Sequence, residues 1–422
     1  MTYNINQLKY MTTGNSNLKN YYQQDTKNLI KFLVPNKANV FTANQKNLIP
    51  SKNDDFIIIN ELIGDIADIQ SFFTQIRNNC DENARILVTY YNFLWQPILE
   101  LATILGWRKN IGQQNWLGHD DIKNLLELSG LEIITSQKRL LIPIYIPFVS
   151  NFVNRWIAPL PLINNFCLKT WTLARPKQAN NKNYDVSIVI PTRNEEGNIP
   201  TLIQKIPFFG KSQEIIFVEG HSIDNTWTEI EKISKEKYTK KLTIKKYQQK
   251  GIGKADAVRF GFDKAKGDIL MILDADLTVD PKDLPKFYKA LSMGQAEFVN
   301  GSRLVYPMEK HAMNTLNIIG NKAFSWLFTW ILGQRFKDTL CGTKVLFKKD
   351  YEKIKKNRAF FGDFDPFGDF DLIFGAVKQN LKVAEIPIRY KERVYGSTNI
   401  NRFKHGWLLL KMFVYAYKKF NF

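Results

Sequence analysis

The sequence predicts an α/β fold: a Rossmann-like domain with a mostly parallel sheet, preceded by a shorter α/β domain. Three observations predict it. Strand and helix signals alternate through the second half of the 422 residues, the pattern of parallel strands joined by crossover helices. Five consecutive apolar residues, Ile269 to Leu273, run into Asp274 and Asp276, and such a run reads as a strand buried on both faces. A polar stretch with proline and asparagine, Ala174 to Tyr184, separates two differently built halves. Domains of residues 1–178 and 179–422 follow, because a chain this long exceeds one ordinary core.

In order, Val186 to Ile190 is a strand, Pro191 to Asn198 a polar turn, and a helix follows. Glu214 to Val218 and Leu242 to Tyr247 are the next strands. Ala255 to Lys266 has helical spacing and leads into the strand after Asp268. Ala296 to Asn300 and Val383 to Ile388 complete the set.

Composition narrows the partners. The formal net charge of +19 favours acidic ones: nucleic acid, anionic lipid or phosphorylated substrates. The lysines are scattered and no compact arginine-rich tract exists, so membrane surface and phosphate ligands rank above nucleic acid, which is not expected. A hydrophobic content of 44% excludes wholesale disorder. Cys80, Cys167 and Cys341 are widely spaced and odd in number, which argues against a disulfide framework or zinc site and for a reducing compartment. Met1 to Gln24 lacks a signal-peptide core, and no uncharged apolar run approaches the roughly 20 residues of a bilayer span. A cytoplasmic protein is expected, soluble or peripheral on the inner face of the membrane.

A parallel sheet presents ligands at the carboxyl ends of its strands. Asp274 and Asp276 are expected there on one side of their strand, where their repulsion calls for a cation. A hard divalent ion completed by substrate phosphates suits them. The competing reading is a strand end followed by a helix cap, Asp280 before Pro281. Pro191, Thr192, Arg193, Asn194, Glu195 and Glu196 follow the first strand, and Glu219, Gly220 and His221 the second. Lys250-Gly251-Ile252-Gly253-Lys254 then opens a helix whose amides can approach an anion. His221 by itself reads as a loop residue. Four strand ends in agreement weigh more, because a structural protein has no reason to gather acids, glycines and lysines on one edge.

At these residues the chain resembles the family 2 glycosyltransferases, especially the branch containing the dolichyl-phosphate sugar synthases. The resemblance rests on Ser187 to Glu196, Val218 to Thr226, Leu273 to Leu277, Gly301-Ser-Arg303, Asp338 to Lys344 and Arg393-Val-Tyr-Gly396. It implies a GT-A fold, a nucleotide-diphosphate sugar donor, Mg²⁺ or Mn²⁺, and inversion at the anomeric carbon. By position, Pro191, Arg193, Glu195 and Glu219 would line the nucleoside pocket. Lys254, Asp274, Ala275 and Asp276 would meet the donor's diphosphate, with the two aspartates holding the metal and Arg303 near a donor or acceptor phosphate. Two departures bear on the acceptor. Glu219-Gly220 stands where synthases that use a polyprenyl phosphate often have two acids, and Thr398-Asn399 where they tend to have Ser-Lys. Lys391 and Arg393 remain for an acceptor phosphate. The acceptor is therefore a polyprenyl phosphate, or a glycan or lipid hydroxyl.

A hydroxyl acceptor needs a general base, whereas an ionised phosphate needs none. Asp363, Asp365, Asp369 and Asp371 crowd one segment, and Asp369 and Asp371 are the candidate bases; the alternative is that these acids cap the following helix. Lys404 to Phe422 and Met313 to Phe336 mix aromatic and cationic residues, suited either to an anionic membrane interface or to packing on their own domain.

The first half, through Asp55 to Asn60, the helix signal after it, Ala84 to Tyr90 and Asp120 to Ile134, resembles the later part of a class I methyltransferase domain. There is no glycine from Asn15 to Ile63, and a cofactor-cradling turn needs glycines. A shortened scaffold is expected, with no S-adenosylmethionine. The rival readings are a bifunctional methyltransferase–glycosyltransferase and a non-catalytic sugar-nucleotide or membrane-docking module.

Overall fold

The computed structural model describes residues 16–108, 114–178, 181–236, 238–239, 241–309, 313–358, 368–393, 395 and 402–420. Asp363, Asp365, Gly396, Thr398 and Asn399 lie outside the described residues. The chain divides into two compact units, with the break between Lys177 and Gln178.

In the first unit, Phe56-Ile-Ile-Ile-Asn60 is too apolar to leave either face in water and becomes a central strand. The sheet comprises β1 (Val40–Thr42), β2 (Phe56–Asn60), β3 (Arg85–Tyr91), β4 (Leu131–Arg139) and β5 (Lys169–Pro176), in the order β1-β2-β3-β5-β4. The first three are parallel, and β5 runs antiparallel between β3 and β4. The period of two sorts the side chains. Phe56 and Ile58 cluster with Leu29 and Leu33 of α1 (Ser16–Leu33). Ile57 and Ile59 cluster with Phe73 and Ile76 of α2 (Ile69–Asn79), and with Ile122 and Leu126 of α4 (His119–Leu128). Asp68 caps α2 by accepting from the Ser71 amide at 2.9 Å. The nine-residue α3 (Gln96–Ile104) and the four-residue α5 (Val149–Phe152) complete the unit.

The stretch from Ala174 was expected to be linker, but the strand β5 continues through Pro176, opposite Leu131. Its polar look misleads because Arg175 is fully buried and pairs across the sheet with Glu132 at 2.7 Å.

The second unit carries seven strands: β6 (Val186–Thr192), β7 (Gln213–Glu219), β8 (Leu242–Gln248), β9 (Ile269–Ile272), β10 (Phe298–Ser302), β11 (Lys344–Phe347) and β12 (Val383–Pro387). Their order is β12-β10-β11-β9-β6-β7-β8. All pairs are parallel except those of β11, which runs antiparallel to β9 and β10. The mostly parallel α/β class expected of this half is the one observed. β11 was not anticipated, because four residues are too few to carry a period. On one face of the sheet, Ile188, Ile190, Phe217 and Met271 pack with Phe287 and Leu291 of α9 (Leu284–Ser292). The connecting helices α6 (Ile199–Lys205), α7 (Thr226–Ser234) and α8 (Lys254–Lys264) follow β6, β7 and β8. α8 lies close on the sheet at Gly261, where a Cβ would come within 2.4 Å of Val189 Cγ1.

Beyond the sheet stand α10 (Thr315–Leu332), α11 (Lys348–Lys356), α12 (Phe370–Lys378) and α13 (Arg402–Phe420). Phe328 of α10 meets Phe370 at 5.0 Å and Phe413 at 6.3 Å, and Trp330 meets Tyr417 at 5.7 Å. One face of α13 is thus buried on its own domain, through Leu409, Met412 and Phe420, while Trp407, Leu410 and Val414 stay exposed. Among the described residues, no helix is long and apolar enough to cross a membrane. The three cysteines are buried and unbridged.

Candidate active site

Turns after β6, β7, β8 and β9 converge beyond the carboxyl ends of the strands. Three carry a non-glycine residue in the left-handed region: Asn194 at φ 55°, His221 at 58° and Leu277 at 56°. That conformation is costly and persists only where neighbours impose it. Here the turns brace one another. The Asn194 amide donates to Ser222 Oγ at 3.0 Å, and Asn194 Oδ1 accepts from the Ile223 amide at 2.9 Å. The Glu195 amide donates to Thr226 Oγ1 at 2.8 Å. His221 Nε2 lies 3.0 Å from the Gly251 carbonyl, a loop-bridging role. Glu219 is buried and accepts from the Ser222 amide at 2.5 Å.

β9 ends at Ile272, so Asp274 and Asp276 lie in the turn beyond it and strand alternation does not orient them, contrary to expectation. Each is met by a different cation. Lys254 Nζ, from the first residue of α8, is 2.6 Å from Asp274 Oδ1. The Arg393 guanidinium is 2.6 Å from Asp276 Oδ2 and 3.7 Å from Glu195 Oε1. Asp276 Oδ1 accepts from the Thr278 amide and hydroxyl, at 3.1 and 2.7 Å. Arg393 is brought there by a short antiparallel bridge, Val279 to Tyr390, and by the Lys391 amide donating to the Thr278 carbonyl. Gly342 packs over the first pair. A Cβ there would fall 2.1 Å from Asp274 Oδ2 and 2.4 Å from Lys254 Nζ.

The electrostatics follow from burial and partners. Burial would raise the Asp274 carboxyl, but Lys254, Lys344 and Arg303 hold it below the ordinary value. Burial would lower the Lys254 amine, yet Asp274, Asp369 and Asp276 raise it. Burial pushes Glu195 up to about 7, against the Asn198 hydrogen bond and Arg393. Asp369 and Asp371, candidates for one role, are separated. Asp369 stands at the cap position of α12 without capping it, and accepts from Lys344 Nζ at 2.8 Å. Asp371 is held by Arg259 and Arg358 and lines a pocket of about 100 Å³ beside α8.

Arg303 is bound to Asp338 through Nε at 2.7 Å and a terminal nitrogen at 2.9 Å. Burial opposes ionisation of Asp338, but Arg303 holds its carboxyl at about 2. Arg303 is therefore a buried ion-pair partner before it is a phosphate ligand. Lys391 reaches Asp280 at 2.8 Å, and Asp280 caps the turn at Pro281. Pro191 is half-buried, Ala275 buried and Arg193 exposed along the same rim. Sequence reasoning did not single out Lys344, Asp338 or Gly342. All lie in one quoted motif, but their roles depend on the antiparallel register of β11.

Among the described residues no three metal-ligating side chains converge, so an all-protein metal cage is absent. Two neighbouring carboxylates still fit Mg²⁺ or Mn²⁺, which take one or two carboxylates and fill the rest of the shell with water and phosphate. Asn300 Oδ1, Ser302 Oγ, Thr339 Oγ1 and Thr343 Oγ1 are buried polar atoms without a partner among the described residues, a polar interior beside the Arg303–Asp338 pair.

Residues 187–356 match the model of the family Glycosyl transferase family 2. A glycosyltransferase family 2 domain thus lies within the second unit, over residues 187–356. The chain is 37% identical to a dolichol-phosphate mannosyltransferase of Pyrococcus furiosus over 243 residues, 54% of this chain and 64% of that protein. It is 27% identical to a low-salt glycan biosynthesis hexosyltransferase of Haloferax volcanii over 226 residues, 53% of this chain and 51% of that one. The chain thus spans between about half and two thirds of the length of these relatives. A glucosyl-3-phosphoglycerate synthase from Mycobacterium tuberculosis, solved with Mn²⁺, UDP and glucosyl-3-phosphoglycerate, aligns with 56% of this chain and 80% of its own, at 17% identity and a TM-score of 0.40. In the glycosyltransferase domain of this chain, the family match spans Glu195, Lys254, Asp274, Asp276 and Gly342 and ends before Arg393.

Proposed function

We propose that this domain transfers a sugar, with inversion, from a nucleotide-diphosphate sugar to a polyprenyl-phosphate type acceptor. The observation that carries the reading is the pairing of Asp274 with Lys254 and of Asp276 with Arg393 where four strand ends meet. Asp274 and Asp276 would hold Mg²⁺ or Mn²⁺, which supplies positive charge against that building on the departing diphosphate. Lys254 and Arg393 add fixed cations at the same place. Glu195 and Glu219 are the acceptors for nucleoside hydroxyl or base donors, beside Pro191 and Arg193.

The acceptor reading rests on which carboxylates are committed. A hydroxyl nucleophile needs a base with a free lone pair in reach. Asp371 is engaged by Arg259 and Arg358, and Asp369 by Lys344. An ionised phosphate needs no base, and Arg393 and Lys391 would meet it by exchanging their present partners, Asp276 and Asp280. The name of the Pyrococcus relative, a dolichol-phosphate mannosyltransferase, fits the same acceptor. The exposed Trp407, Leu410 and Val414 of α13 suit a peripheral site at an inner membrane face. The first unit serves as an inactive, shortened methyltransferase-like scaffold: its leading strand β1 has three residues and no glycine follows it before Gly64.

A screen of UDP-, GDP- and dTDP-sugars with Mn²⁺ or Mg²⁺ and a short-chain polyprenyl phosphate tests this. Transfer from one donor, abolished by chelation and by Asp276→Ala, is expected. Equal, negligible turnover in both proteins while nucleotide still binds would leave a sugar-nucleotide binding module. Calorimetric heat from S-adenosylmethionine would revive the bifunctional alternative.

A further inference from the structure

We infer that Gln249 reads the base of the sugar donor, its carboxamide selecting among nucleotides at a place that Gly220 leaves open; this rests on the glycosyl-transfer reading above. Gln249 is the first residue after β8, and register carries it to the site. Thr192, Glu219 and Gln248 stand level across β6, β7 and β8. The ladder then runs one residue further. The Gly220 amide donates to the Thr192 carbonyl at 2.9 Å, and the Gln249 amide to the Glu219 carbonyl at 3.0 Å. Gln249 thus stands on the same carboxyl edge as Pro191, Arg193 and Glu219.

Its side chain lies across Gly220. A Cβ on Gly220 would come 2.7 Å from Gln249 Nε2 and 3.4 Å from its Cδ, with the Thr192 carbonyl oxygen at 3.7 Å. The Gly220 backbone is outside the left-handed region, so this close approach is what calls for glycine there. Only 5% of Gln249 is exposed, and its Oε1 is buried without a partner among the described residues. Folded proteins rarely leave such an atom unmet. An N–H from a bound ligand would meet it.

Position says which part of the ligand that is. In the order β9-β6-β7-β8, Gly220 follows the strand two places from β9, roughly 10 Å away at the usual strand spacing. The diphosphate belongs with Asp274 and Asp276 beyond β9. A nucleoside stretched from there along the strand ends brings its base to Gly220. Every nucleobase edge sets an N–H donor beside an acceptor, and a carboxamide answers both with Oε1 and Nε2. The flanking turns add apolar surface. Ile223 and Ile252, 92% and 84% exposed, are the two most exposed large apolar side chains among the described residues of the second unit. His221 ties their turns together at Gly251. An apolar wall with a few placed polar groups is the usual make-up of a small-molecule site.

Calorimetric binding of UDP, GDP, dTDP, CDP and ADP to the full chain with Mn²⁺ tests the inference, with Mn²⁺–pyrophosphate as the base-free probe. One nucleotide is expected to bind wild type about tenfold or more tighter than the others. Gln249→Met, similar in size but without the hydrogen bonds, should weaken that nucleotide about tenfold and bring the five affinities together. Gly220→Ala should do the same by displacing the carboxamide while Gln249 is kept. Neither should alter pyrophosphate binding. A base preference that survives either variant overturns the inference. So does an equal loss for all five nucleotides with a lowered Tm, which would make Gln249 a packing residue over Gly220. Wild type that binds pyrophosphate and all five nucleotides alike overturns it and leaves the transfer reading standing. Wild type that binds none of the six probes overturns both.

Discussion

Arg393 sits 2.6 Å from Asp276, with Glu195 3.7 Å from the same guanidinium. One cation thereby joins the turn after β9 to the turn after β6, and its loss reaches both acids. Arg393→Ala should move the Glu195 midpoint above its present value of about 7, since the guanidinium now opposes the upward pull of burial. Carboxyl titration by NMR reads that shift directly. Transfer should fall by roughly 10- to 100-fold as a charge facing the diphosphate is removed, and an unmoved Glu195 midpoint would deny the coupling.

Glu195 also sets a pH dependence of stability. Its folded value, about 7, stands above the ordinary 4.5, so the folded chain binds more protons between these values. The stabilisation is complete below pH 4.5 and is lost as pH rises to 7, by at most about 3 kcal/mol. Urea melts of wild type and Glu195→Gln across this window should diverge. A parallel decline in both proteins would rule out Glu195 as the source.

Asp338 works in the opposite sense. Arg303 depresses its carboxyl from 3.8 to about 2, so its stabilisation is present above pH 4 and fades as pH falls through 2. Asp338→Asn leaves the Arg303 guanidinium buried without its counter-charge and should cost about 3–5 kcal/mol. Denaturant melts at neutral pH give the number, and a loss below about 1 kcal/mol would mean the pair behaves as a surface ion pair.

Gly342→Ala separates site geometry from folding. The atoms nearest the added Cβ are Asp274 Oδ2 and Cγ and Lys254 Nζ, so these two side chains rather than the backbone must shift, at a cost to the fold of roughly 1 kcal/mol. The ion pair beneath cannot keep its place. Thermal stability close to wild type with transfer reduced about tenfold or more is the expected combination; unaltered transfer would show that the Asp274–Lys254 contact is incidental.

Much of this was legible beforehand because buried parallel strands announce themselves. Val186 to Ile190, Glu214 to Val218 and Ile269 to Leu273 are apolar runs ending in polar turns, and each became a strand with its turn at the site. β11 and β5 were not legible. Lys344 and Arg175 are of residue types that are seldom buried, yet both are fully buried beside carboxylates distant in sequence. Pairing of that kind depends on register, which local pattern does not encode. The division of Asp369 from Asp371 was hidden for a related reason. Two residues apart at a helix start, they turn to different neighbours, Lys344 and Arg259.

The account turns on whether Asp274 and Asp276 hold a divalent ion together with the donor's phosphates. Mn²⁺ binding followed by electron paramagnetic resonance, with and without a nucleoside diphosphate of the preferred base, measures this most directly. Binding that tightens when the nucleotide is added and disappears in the double substitution Asp274→Asn, Asp276→Asn is predicted. Mn²⁺ bound equally well without nucleotide, or unaffected by the double substitution, would contradict it.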